Sequence, residues 1–230
     1  RFAWLHYAGV FLDRRIEAMI AAIADEVNVR FPLNASSRDA VGFLMTSIHG
    51  AGGHSKIAWR WMQMDQQHRF HLVLTAQGAS QVPEQLDELL AGPRVTCQRL
   101  DAGLSALDAA RVARDELFGA QLLVMNIHPD DVVAAVAAAC LRKQTHAVFI
   151  NHAYYTFSVG MSSARALPCT SPAAVEIATR ERLISPQHIL WYRNAPEWEA
   201  GQVSIDGQSL RARLGLPENA VVLLSTGTEY

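Results

Sequence analysis

Apolar side chains at Phe11, Ile16, Met19, Ile20, Ile23 and Val27 recur at helical spacing and predict a helix over 11–29. Pro32, Asn34, Ser36 and Ser37 then break the pattern, so 31–38 reads as a linker. Beyond it the rhythm changes. Short apolar runs at 41–48, 70–75, 94–100, 120–127 and 146–150 alternate with helical segments at 55–67, 82–91, 105–117 and 130–141. Parallel strands need long crossovers, usually helical, so this alternation predicts βαβ units. The expected class is α/β, a doubly wound, mostly parallel, Rossmann-like sheet preceded by an N-terminal helical extension. Ligands of such sheets lie at the carboxyl ends of the strands, here 49–54, 76–80, 101–104, 128–130 and 151–155.

A further helix is predicted over 173–184 and a last strand over 188–192 (HILWY). Residues 193–208 mix Pro, Gly, Asn and charges as an interdomain connection does. SLRARLGLPENA then reads as a short helix stopped by Gly215 and Pro217, and VVLLSTGT, 221–228, as a buried strand. The expected organisation is a helical extension and linker over 1–40, a Rossmann-like domain over 41–193, a connection over 194–220, and the first strand of a second such domain over 221–230.

Composition narrows the function classes. Twenty basic residues face 22 acidic ones without a block of like charge, which argues against a nucleic-acid partner. The apolar runs around 119–127 and 132–141 fall short of the ~20 residues that span a bilayer. Three widely separated cysteines without CxxC spacing disfavour a disulfide scaffold or a cysteine zinc site and favour a reducing, cytoplasmic setting. The chain opens on Arg1 without secretory-signal features and reads as a piece of a longer protein.

The densest chemical signal is HGAGGHS at 49–55, between the first predicted strand and the first helix of the sheet. Backbone N–H groups at a helix start suit an anionic group such as phosphate. A dinucleotide fingerprint would need glycine where Ser55 stands and an acidic residue near Thr75, Ala76 and Gln77. A Walker loop would need glycine before Lys56 and Ser or Thr after it, where Ser55 and Ile57 stand. Both readings fail on spacing.

With Gly52, Gly53 and His54 after the first strand, Asn151-His152-Ala153 after the fifth, and LRARLGLPENAVVLLSTGT at the end, the chain resembles the GT-B glycosyltransferases of the retaining, glycogen-synthase-like branch. The resemblance spans roughly 41–228, and LGLPENAVVLL is its most specific stretch. It implies two Rossmann-like domains around a cleft, the first binding mainly the acceptor and the second mainly the sugar nucleotide, a UDP- or GDP-sugar, with no separate cofactor and no obligatory metal. Expected partners are the nucleotide sugar, a glycan or other hydroxyl acceptor and the second domain, with peripheral membrane association compatible. Almost all of that domain lies outside these residues, so this stretch alone is expected to be inactive.

The individual residues admit two readings each. Gly52 and Gly53 either admit the donor diphosphate or sugar to the backbone or make a tight turn. Ser55 is a ligand contact or an ordinary N-cap; His54 is a site residue or a surface histidine. His152 hydrogen-bonds the transferred sugar or an acceptor hydroxyl, with Asn151 orienting it, or packs under Tyr154 and Tyr155. The resemblance favours His152 and His54 as catalytic residues and Gly52, Gly53, His54 and Ser55 as nucleotide-sugar contacts. Asp130, beside His128 and Asp131, reads most simply as the N-cap of the next helix. His49 and His54 lack a third spaced ligand, so no zinc site is expected. Trp59, Trp61 and Met62 read as a packing face. A sugar-nucleotide epimerase, needing carboxylates in the cleft, and a non-catalytic domain using the N-terminal helix as its contact are the alternatives.

Overall fold

The computed structural model describes residues 6, 9–33, 39–50, 52–192, 211–217 and 219–221. The chain divides into two compact units, Arg1–Arg193 and Asn194–Tyr230. The first contains helix α1 (Arg14–Arg30) and then β1 (Val41–Met45), α2 (Gly53–Met64), β2 (Phe70–Leu74), α3 (Glu84–Leu90), β3 (Val95–Arg99), α4 (Ala106–Leu117), β4 (Leu122–Asn126), α5 (Val132–Leu141) and β5 (Ala147–Phe149). Then come β6 (Leu167–Cys169), α6 (Pro172–Arg180) and β7 (Ile189–Trp191).

Five strands form a parallel sheet in the order β3-β2-β1-β4-β5, a Rossmann-like arrangement. Strands β6 and β7 pair parallel to each other, and a parallel bridge between Val148 and Ala166 continues the ladder from β5. The strands are shorter than the runs that predict them, trimmed at the carboxyl end in β1 and β2 and at both ends in β3, β4 and β5. Strand β6 escapes the sequence pattern since Pro168 at its centre reads as a breaker. Its carbonyl nonetheless accepts the Asn151 N–H at 3.1 Å.

Side-chain parity builds the two layers. Val41, Phe43 and Met45 of β1 pack with α2 and α3, with Trp59 and Met62 buried and Trp61 edge-on to Phe43. Leu44 points to the opposite layer, made by α1, α4 and α5. Helix α5 is alanine-rich, buried along nearly its whole length, and lets its neighbours approach closely. The N-terminal helix belongs to this layer. Asp13 caps it, Asn28 donates to the Cys140 carbonyl at 2.9 Å, and buried Arg114 of α4 donates to Asn28 Oδ1 and to the Phe31 carbonyl. Buried Glu17 accepts the N–H groups of Gly160 and Ser162 at 2.7 and 2.9 Å, tying α1 to the segment after β5.

In the second unit, residues 211–217 show the expected stop. Leu216 N–H bonds the Arg211 carbonyl, Gly215 N–H bonds that of Ala212, and Gly215 is left-handed at φ +64°, the pattern of a Schellman C-cap. The expected connection over 193–208 and the expected strand over 221–228 lie outside the described residues, apart from Val221.

Gly160 lets the post-β5 segment lie against α5. Its φ is +88°, and a Cβ there would sit 3.0 Å from Ala135 Cβ and 3.2 Å from Ala135 Cα. Gly160→Ala should therefore cost about 1–3 kcal/mol from backbone strain and overpacking. Urea denaturation checks this, and an unchanged midpoint contradicts the close packing.

Candidate functional site at the switch point

Strands β1 and β4 are neighbours whose following connections leave to opposite faces, so their carboxyl ends border a crevice. The loop after β1 is held from several sides. The Gln77 carboxamide pairs with both backbone groups of Ile48, accepting its N–H at 2.8 Å and donating to its carbonyl at 3.0 Å. His49 N–H then bonds Ser55 Oγ at 3.0 Å, and Asn126 at the end of β4 donates to the His54 carbonyl at 2.7 Å.

Within this frame Gly52 is the N-cap of α2 at φ +107°, ψ 136°, a conformation closed to side chains in practice. A capping serine is therefore not what starts the helix: Ser55 is fully buried and its hydroxyl serves the loop. Gly53 differs from Gly52, for among the described residues a Cβ on it would meet nothing within 4 Å outside its own turn.

A second knot fixes the opposite wall. Asp131 Oδ2 accepts the hydroxyls of Thr46 (2.6 Å) and Thr75, while Oδ1 accepts Ala134 N–H at 2.9 Å as the N-cap of α5. Asp131, not Asp130, is thus the capping residue. Thr46 Oγ1 in turn accepts the His128 N–H at 2.8 Å, so one carboxylate joins the ends of β1 and β2 to the residue that opens the β4 loop.

These two frames bring three histidines together from the ends of β1, β4 and β5. His54 and His152 stack with ring centroids 5.2 Å apart and planes 23° apart, and His128 lies edge-on to His54 at 5.9 Å. His152 Nδ1 also lies 3.2 Å from the Ile150 carbonyl. The aromatic partner of His152 is therefore His54, while Tyr154 and Tyr155 pair edge-on with each other. Asn151 bonds Arg182 and Cys169 rather than orienting the imidazole. His49 is exposed, with Nε2 3.0 Å from Ser47 Oγ. Among the described residues no group of three or more His, Cys, Asp or Glu side chains is arranged to hold a metal ion.

Burial pushes His54 down to about 4, with His128 and His49 adding to the effect. Burial likewise pushes His152 down to about 4, with His54 next in weight and the Ile150 carbonyl opposing it. At neutral pH both rings are uncharged, each with one donor and one acceptor nitrogen for a polar ligand. His128 is the member that sequence spacing undervalued. Its signal is positional: it follows β4, which pairs with β1 beside the glycine loop.

Compared with known proteins, the chain matches no family model and no curated sequence. Among the described residues no helix is long and apolar enough to cross a membrane.

The depressed pair makes stability depend on pH. The unfolded chain takes up protons near pH ~6.5 but the folded pair only near 4, so stability should fall as pH drops through that window. Thermal midpoints of His54→Asn and His152→Asn should fall less steeply there than those of the parent. Parallel curves would contradict the buried, neutral stack.

Proposed function

We propose that this chain is the acceptor-side domain of a GT-B glycosyltransferase that moves a sugar from a nucleotide-sugar donor to a hydroxyl acceptor. The observation that carries the reading is the pairing of an open glycine loop with neutral imidazoles at the switch point. Gly52 takes a backbone path that only glycine follows readily, and among the described residues none outside its own turn crowds Gly53. His54, His128 and His152 stand beside that loop. The resemblance of LGLPENAVVLL to the entry into a second Rossmann-like domain adds support.

In this reading Gly52, Gly53 and the start of α2 admit the transferred sugar or its diphosphate, with Ser55 shaping the loop from beneath. Neutral His152 and His54 hydrogen-bond the acceptor hydroxyl or a sugar hydroxyl, the second domain holds the nucleotide, and backbone N–H groups and cations stabilise the departing diphosphate. No cofactor besides the UDP- or GDP-sugar substrate takes part, and the setting is cytoplasmic. The epimerase alternative needs an available carboxylate; Asp131 already accepts three hydrogen bonds, which leaves half-buried Asp130 as the carboxylate at this strand end for that reading.

Gly53→Trp is the direct test. A side chain there enters open space, so the fold should keep its thermal midpoint while the loop is blocked. In the protein carrying the complete second domain, kcat/KM for sugar transfer should drop by about tenfold or more. Undiminished transfer by a folded variant overturns the reading, and an epimerised nucleotide sugar formed without acceptor selects the alternative.

A further inference from the structure

Arg182 follows α6 and is 1% exposed, among the largest fully buried side chains of the protein. Its six acceptors are all neutral. Nη1 donates to Asn151 Oδ1 at 2.7 Å and contacts Met161 Sδ at 3.4 Å. Nη2 reaches the carbonyls of Ala153 (3.4 Å), Tyr154 (3.1 Å) and Thr156 (2.7 Å), and Ser158 Oγ at 3.4 Å. Burial of the guanidinium lowers its pKa to about 10, so it stays charged at neutral pH.

A buried cation is costly, and an apolar side chain would fill the same space more cheaply. What it contributes is visible in its partners. The segment after β5 runs through turns outside any strand ladder, so its half-buried carbonyls take their donors from side chains and turn N–H groups; that of Ala153 also accepts from Thr156. One planar fork reaches both sides of His152: the Asn151 side-chain oxygen just before it and the backbone carbonyls of Ala153, Tyr154 and Thr156 just after. Lysine, a compact charge with rotating donors, cannot span that set.

The local backbone is shaped for the same purpose. Arg182 N–H and Ile184 N–H bond back to the Ile177 and Ala178 carbonyls of α6. Between them Leu183, a non-glycine residue, is left-handed at φ +55° with its side chain exposed. That strained turn ends the helix at the point where the guanidinium enters the interior.

We propose that Arg182 is a positioning residue for the candidate site: by holding the Asn151 side chain just before His152 and the backbone carbonyls just after it, it keeps that imidazole in its stack against His54. The proposal rests on His152 belonging to the site as read above, but not on the reaction assigned to it. Its test is therefore spectroscopic.

Arg182→Lys keeps the charge and removes the fork. Imidazole NMR resonances followed between about pH 3 and pH 8 should show His152 titrating near 4 in the parent. In the variant it should titrate about one unit or more higher, toward the free value of ~6.5, with loss of the contact between the His54 and His152 rings. Purely structural support would lower the thermal midpoint and leave both signals in place. A folded Arg182→Lys protein with His152 unmoved overturns the proposal. Should that variant fail to fold, Asn151→Ala removes one anchor and keeps the cation. A smaller shift in the same direction then supports the clamp, and an unmoved His152 overturns it. If His152 shifts while sugar transfer in the complete enzyme is unaffected, the clamp stands and the assignment of His152 to the site falls.

Discussion

Strand order reverses between β1 and β4, and that reversal is the constraint on which the rest depends. Chain leaving β1 crosses one face of the sheet and chain leaving β4 crosses the other, so the two loops part at the position where open α/β sheets hold their ligands. The apolar layers supply the driving force for folding but do not specify loop geometry. Buried polar groups do that. Gln77 grips Ile48, Asn126 grips His54, Asp131 joins Thr46 to Thr75 and through Thr46 steadies His128, and Arg182 brackets His152. Each pairing satisfies groups that would otherwise be orphaned in the interior, and each fixes one wall of the crevice.

The consequence is a cluster of imidazoles from three strand ends, in which burial holds His54 and His152 uncharged at neutral pH. Such rings donate and accept hydrogen bonds without attracting counterions. An anion brought beside them by another domain would favour their protonated forms, since a nearby opposite charge stabilises the charged state.

The sheet and its layers were legible because β1, β2, β4 and β5 are largely apolar runs, β3 keeps Val95 and Cys97 between turn signals, and the crossovers show helical spacing. The glycine loop was legible because three glycines in four residues, 50–53, have few uses between a strand and a helix. Strand β6 was hidden by Pro168, and α1 reads as a separable extension because Glu17, which docks it, looks like an ordinary surface acid in the sequence. The polar clamps were not legible at all. Asn126, Gln77, Asp131 and Arg182 act on partners far away in the chain or through the backbone, and single polar residues carry no periodicity. His54 and His152 could be singled out from their motifs; that they touch follows only from β1, β4 and β5 lying side by side.

The central claim, that the crevice at the β1–β4 switch point is where this protein meets its substrate, is tested most directly by titrating isotope-labelled protein with UDP- and GDP-sugars and with simple glycan acceptors while following backbone amides and imidazoles by NMR. The account predicts shifts concentrated on 49–55, 126–128 and 150–154. Shifts confined to other surfaces, with these residues silent throughout, would contradict it.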